Sequence, residues 1–228
     1  MRDVADVALL FDFNGVIVDD EEQHRATLGS LLAEHGIELT RDQYYADYLG
    51  WNDRMSFVMA FRQAGRPLAP EGLEDLVAEK SRRYGRLIEG SLTLVPGARD
   101  FVERAAERFR LGIVSGALRR EIEHVLETAR LRECFEVIVA AEDVPDCKPN
   151  PAGYLAAHAR LERSRPLARD ACVAIEDSLP GLVAARAAGM RCVMLSTSLD
   201  PESLAGADAV WQSFAGHSPA ELLAEHPR

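Results

Sequence analysis

Apolar positions along this chain follow two rhythms. In the first, short uninterrupted apolar runs of strand length end in a polar residue or a glycine and give way to helical spacing. Ala8 to Phe11 run straight into Asp12, with Gly15 three positions on. The same form recurs at Arg110 to Gly116, Val137 to Ala140, Ala171 to Ile175, Arg191 to Leu195 and Ala209 to Trp211. Runs of this kind predict strands buried on both faces. Helical spacing fills residues 98–108, 118–129, about 152–161 and 179–188, where Gly189 stops the last of them. Strands alternating with helices predict a parallel, doubly wound sheet.

The second rhythm occupies roughly residues 19–91, where no strand pattern is found. An acidic cluster, Asp19 to Glu22, suits a helix N-terminus, and Leu28, Leu31 and Leu32 continue that helix until Gly36. Residues 41–64 and 71–88 are read as further helices, interrupted at Gly50-Trp51-Asn52 and at the Gly65 to Pro70 turn. The expected fold is α/β: a Rossmann-like parallel-sheet core with an inserted all-α cap domain. Residues 1–18 and 92–228 form the expected core, and residues 19–91 the cap.

Chemistry is expected where the strands end, because strand tips in such a sheet converge on one crevice. Asp12, Ser115 and Asp177 each follow a strand, and Lys148 follows one after a loop. Two carboxylates in that crevice suit Mg²⁺, which prefers oxygen ligands and phosphate. A serine hydroxyl and backbone N–H groups suit phosphate oxygens, and an ammonium neutralises the transferring group. Taken singly, each has a plain structural reading: Asp177-Ser178 as a helix cap, Ser115-Gly116 as a turn, Lys148-Pro149 as a solvated loop.

Composition narrows the partners. The chain has 228 residues and a net charge of −11, which argues against a nucleic-acid surface. No apolar run approaches membrane-spanning length and Met1 to Asp6 hold no signal-peptide core, so a cytoplasmic location is expected. The four cysteines match no zinc spacing and are expected to be reduced. Only two lysines occur, Lys80 and Lys148, against 24 arginines. A chain so biased keeps a lysine where a compact ammonium is needed, which marks Lys148.

These motifs together resemble the haloacid dehalogenase superfamily, in the branch with a helical cap after the first strand that includes β-phosphoglucomutases and phosphoglycolate phosphatases. The matching residues are Asp12-Phe13-Asn14-Gly15-Val16, Ser115-Gly116, Lys148-Pro149-Asn150-Pro151 and Ile175 to Gly181, and the likeness covers nearly the whole chain. It implies an Mg²⁺-dependent phosphatase acting on a small phosphorylated metabolite, with Asp12 as the nucleophile that becomes an aspartyl phosphate. By the same likeness Asp12, Asp177 and the backbone carbonyl of Asn14 hold the metal and Glu176 stands behind them. Ser115, Gly116 and Lys148 bind phosphate. His24, Trp51 and Arg54 are expected at the substrate, in a monomer or weak homodimer.

The sequence departs from the family at position 14, where phosphatases and mutases carry an aspartate as general acid and base. Asn14 can hydrogen-bond but cannot deliver a proton near neutral pH. Three explanations stand: another group such as His24 supplies the proton, the substrate has a good leaving group, or the chain is a weak catalyst or binding protein. Relatives that cleave phosphonates use a cap lysine, absent here between residues 13 and 79. The mutases' cap lysine is replaced by Leu49, and their next arginine falls on Asp53 by direct count or Arg54 after a one-residue shift. A sugar-phosphate mutase is therefore the alternative enzyme.

Overall fold

A computed structural model describes residues 7–90 and 92–224. Six parallel strands form one sheet: β1 (Ala8–Phe11), β2 (Arg110–Val114), β3 (Val137–Val139), β4 (Cys172–Glu176), β5 (Arg191–Leu195) and β6 (Ala209–Trp211). Their order is β3-β2-β1-β4-β5-β6, so the chain winds outward in both directions from β1. The switch point of a sheet wound this way lies between β1 and β4, where ligand crevices open. Register fixes that point: Phe11 pairs with Ile113 of β2 and with Ile175 of β4. Asp12 leaves its strand level with Glu176, and Asp177 follows one residue further on.

The alternation of side chains along β1 builds both layers. Leu9 and Phe11 face one apolar cluster, Ala8 and Leu10 another. The Phe11 ring meets Phe101, Phe135 and Phe214 with centroids 5.8–6.3 Å apart. Helices α4 (Ala98–Ala106) and α5 (Arg119–Thr128) cover the first face, α6 (Ala152–Glu162) and α7 (Leu179–Ala187) the second. All four cysteines are free thiols; Cys172 and Cys192 are buried. Among the described residues no helix is long and apolar enough to cross a membrane.

Between β1 and β2 the chain makes three longer helices, α1 (Glu21–Glu34), α2 (Asp53–Gln63) and α3 (Pro70–Ile88), around a third core that includes Leu28, Leu32, Phe57 and Leu73. The segment departs and returns side by side: Val18 bridges Leu94, and the Asp19 N–H donates to the Thr93 carbonyl at 2.9 Å. Residues 1–6, 91 and 225–228 of the expected domain division lie outside the described residues. The helix expected from residue 41 takes a different form. A capping box joins Thr40 and Gln43, and after one short turn the chain widens into a π-helix, Tyr44–Tyr48. There the Leu49 N–H reaches the Tyr44 carbonyl at 3.0 Å, which turns both Tyr44 and Tyr48 inward.

Candidate active site

Asp12 is held by its backbone, whose N–H donates to the Ile175 carbonyl at 2.9 Å. Its carboxylate lies 2.9 Å from the Lys148 ammonium, which also sits 2.5 Å from Glu176. Glu176 is fully buried; the Tyr154 hydroxyl donates to one of its oxygens at 2.6 Å and the Ser178 hydroxyl to the other at 3.2 Å. Asp177 accepts from the Ser198 hydroxyl. Only glycine fits beside it: Gly15 has φ +70°, and a Cβ there would stand 2.0 Å from an Asp177 oxygen. The Gly15 N–H closes this turn on the Val18 carbonyl at 2.8 Å.

The electrostatics are those of crowded anions around one cation. Burial pushes Asp12 up to about 6, with the Glu176 charge adding and Lys148 opposing. Burial raises Asp177 well above the usual carboxylate range, helped by the charges of Glu21, Asp12 and Glu176. Burial alone would lower Lys148, but Asp12 and Glu176 outweigh it and hold the ammonium firmly protonated. Carboxylate oxygens of Asp12, Glu176 and Asp177 lie within 4.8 Å of one another. One ammonium does not balance three buried carboxylates, and an all-oxygen donor set of this size fits Mg²⁺. Glu176 has more partners, Lys148, Tyr154 and Ser178, than Asp12 with Lys148 or Asp177 with Ser198, so Asp12 and Asp177 are the carboxylates better placed to donate directly.

Across the crevice stands a second network. The Asn14 amide nitrogen donates to Asp20 at 2.9 Å and lies 2.9 Å from Nε2 of His24. Nδ1 of His24 is 2.7 Å from the Lys80 ammonium, which pairs with Asp53 at 2.5 Å. Burial and the Lys80 charge press His24 toward its neutral form; the hydrogen bond and charge of Asp20, with Asp53, outweigh them and lift its pKa. The Tyr84 hydroxyl donates to Asp20, and the Tyr44 hydroxyl to Glu21 at 2.8 Å.

The two networks face one cavity of about 40 Å³. Asp12, Asn14, His24, Trp51, Ser115, Gly116, Lys148 and Asp177 line it, so most of the residues singled out from sequence come together. Ser115 also retains its plain role, its hydroxyl accepting from the Ala117 N–H at 3.1 Å, and Ser178 caps α7 by accepting from Gly181 at 3.2 Å. Arg54 does not line this cavity: it pairs with Glu74 at the exposed surface and borders an adjoining groove with Met55 and Val58, which shares Trp51 and Lys148 with the cavity. Consecutive helical residues point about 100° apart, and Asn52, whose side chain accepts from the Met55 N–H at 2.9 Å, starts α2 so that Asp53 turns inward.

Asp53, the direct-count alternative to Arg54, lines the cavity, and so do Lys80, Glu21 and Tyr44, which were not anticipated. A signal existed for Lys80. It is one of two lysines, and it occupies the stripe of Leu73, Leu76, Tyr84 and Ile88 that α3 buries. A lysine at such a position is rarely inert.

A sequence model of the haloacid dehalogenase-like hydrolases matches residues 9–195. Hexitol phosphatase B of Escherichia coli strain K12 is 31% identical over 190 residues, covering 83% of each chain. Protein CbbY of Cereibacter sphaeroides is 32% identical over 218 residues, covering 91% of this chain and 92% of its own. A crystal structure of a CbbY variant from Rhodobacter sphaeroides in complex with xylulose-(1,5)bisphosphate superimposes with a TM-score of 0.83 at 30% identity, covering 94% of this chain and 98% of that one. With the family matched across most of its length, this chain belongs to the haloacid dehalogenase-like hydrolases.

Proposed function

We propose that the chain is an Mg²⁺-dependent phosphatase that hydrolyses a small sugar-type phosphomonoester through an aspartyl phosphate on Asp12, with residues 19–91 acting as its cap. The observation that carries this reading is the Asp12 carboxylate, fixed at the sheet's switch point and 2.9 Å from the buried Lys148 ammonium. Named phosphatases among the relatives support it.

In the reaction proposed, an Asp12 oxygen attacks phosphorus and the bond to the ester oxygen breaks. Water then attacks the aspartyl phosphate, releasing inorganic phosphate and restoring the carboxylate. Lys148 neutralises charge on Asp12 and on the phosphoryl oxygens, and Glu176 holds that ammonium in place. The Ser115 hydroxyl and the backbone at Gly116 receive phosphate oxygens. Asp12, Asp177 and the Asn14 carbonyl would hold Mg²⁺, which when bound would supply charge neutralisation and substrate orientation. A cavity of about 40 Å³ admits little more than water, which supports a cap that separates from the core to admit substrate from the adjoining groove at Trp51 and Lys148.

Leaving-group protonation is the weak point. The Asn14 amide is pinned by Asp20 and carries no transferable proton. That observation favours substrates with good leaving groups, or a phosphate-binding protein with negligible turnover. Phosphate release from a panel of phosphomonoesters, with and without Mg²⁺, tests the proposal. Turnover that requires Mg²⁺ and disappears in Asp12→Asn is expected. Turnover surviving in that variant would remove Asp12 from its role.

A further inference from the structure

The cap side of the cavity offers no unpaired cation to a second phosphate. Of the chain's 24 arginines, none lines it among the described residues. Its cations are Lys148, His24 and Lys80. Lys148 is committed to Asp12 and Glu176 on the core side. Lys80 is 2% exposed and neutralised by Asp53 at 2.5 Å, with His24 against its other side. Glu21 and Asp53 are the acidic groups of the cap side, and Tyr44, Trp51 and Ser56 complete it. A phosphate dianion placed against that wall meets the Glu21 carboxylate, the neutral Asp53–Lys80 pair and no unpaired cation. Hydroxyl groups meet acceptors instead: a carboxylate takes their hydrogen bonds, and the stronger charge-assisted kind. Glu21 already takes a hydroxyl's hydrogen bond, accepting from Tyr44 at 2.8 Å.

We infer that the cap selects monophosphates whose far end is uncharged and hydroxyl-bearing, and rejects bisphosphates, with the Asp53–Lys80 pair as the discriminating element. This rests on the phosphatase reading above. Asp53 cancels Lys80, the ammonium on the cap side of the cavity.

Glucose 6-phosphate and glucose 1,6-bisphosphate present the same transferable group and differ only at the far end. Phosphate release from C6 should favour the monophosphate by about tenfold or more in kcat/KM, the scale of one uncompensated charge contact. Asp53→Asn should release the Lys80 ammonium and shift the ratio toward the bisphosphate by about tenfold, and adding Lys80→Met should cancel that shift. Calorimetric binding of both probes to Asp12→Asn gives the same comparison without turnover and without altering the cap. Equal or tighter binding of the bisphosphate there, or its equal turnover by the unaltered chain, overturns the selectivity while leaving the phosphatase reading intact. Monophosphate-selective binding with no phosphate release from any ester would instead sink the phosphatase reading and retain the selectivity of the site.

Discussion

Replacing Asn14 by aspartate is the change whose consequences the structure defines best. The amide nitrogen it removes lies 2.9 Å from Asp20 and 2.9 Å from Nε2 of His24. A carboxyl in that place faces the Asp20 carboxylate at hydrogen-bond distance. Two like charges that close repel by about 6 kcal/mol at an effective dielectric of 20, equivalent to roughly four pH units. That repulsion favours a carboxyl at position 14 that keeps its proton. A proton so held, beside the phosphoryl site, is what leaving-group departure lacks in the unaltered chain. Asn14→Asp should raise kcat on alkyl phosphates by about 10²–10⁴-fold while changing p-nitrophenyl phosphate much less. The assay is a series of esters of graded leaving-group pKa for both chains. The unaltered chain should show the steeper slope and, with activated esters, a burst of leaving group as the phosphoenzyme accumulates. Identical slopes and rates in the two chains would refute this reasoning and move the proton role elsewhere; His24→Ala would then be the next variant to make.

Other consequences concern the charged cluster. Asp177→Ala removes one of two direct donors, so Mg²⁺ affinity by calorimetry and Mg²⁺-dependent turnover should fall together; unchanged affinity would dismiss the metal assignment. Lys148→Ala leaves Asp12 and Glu176 buried without their ammonium. Breaking such a pair costs about 3–5 kcal/mol, so the melting temperature should drop along with turnover, and near-normal values of both would contradict the geometry. Asp12 rises from 3.8 to about 6 on folding, so the metal-free native state binds its proton more tightly than the unfolded chain does. The stability this contributes is present below about pH 4 and lost as pH rises through about 6, on the order of 3 kcal/mol. Mg²⁺ takes the proton's place, so the thermal shift it produces over chelator should be larger at about pH 7.5 than at about pH 5; a shift that does not grow with pH would count against this.

The core was legible because its physics is local. A strand buried on both faces needs an unbroken apolar run, and a residue that ends such a run lands at the sheet's edge whatever surrounds it. Asp12, Ser115 and Asp177 were placed by that argument alone. The cap side was less legible because its network joins distant turns. Lys80, Asp53 and His24 come from three helices, and no spacing along the chain predicts their meeting. The choice between Asp53 and Arg54 depended on a helix start one residue upstream, at Asn52, which boundary signals do not fix. The widened turn at Tyr44–Tyr48 has the composition of an ordinary helix, so only its hydrogen bonding reveals it.

The Asn14-Gly15 turn also ties this chain's chemistry to its age. A side-chain amide followed by glycine meets an unshielded backbone nitrogen, which closes on the amide carbon and expels ammonia; water opens the ring to a carboxyl. Folding guards the amide here, because the Gly15 N–H is engaged by the Val18 carbonyl at 2.8 Å and the amide by Asp20 at 2.9 Å. Unfolding removes that guard. Were one molecule in about a hundred hydrolysed to the aspartate form, a gain of roughly 10²-fold would let that fraction match all the others combined. In that case the rate on alkyl phosphates would reflect the sample's history as much as its sequence, until mass shows the amide intact.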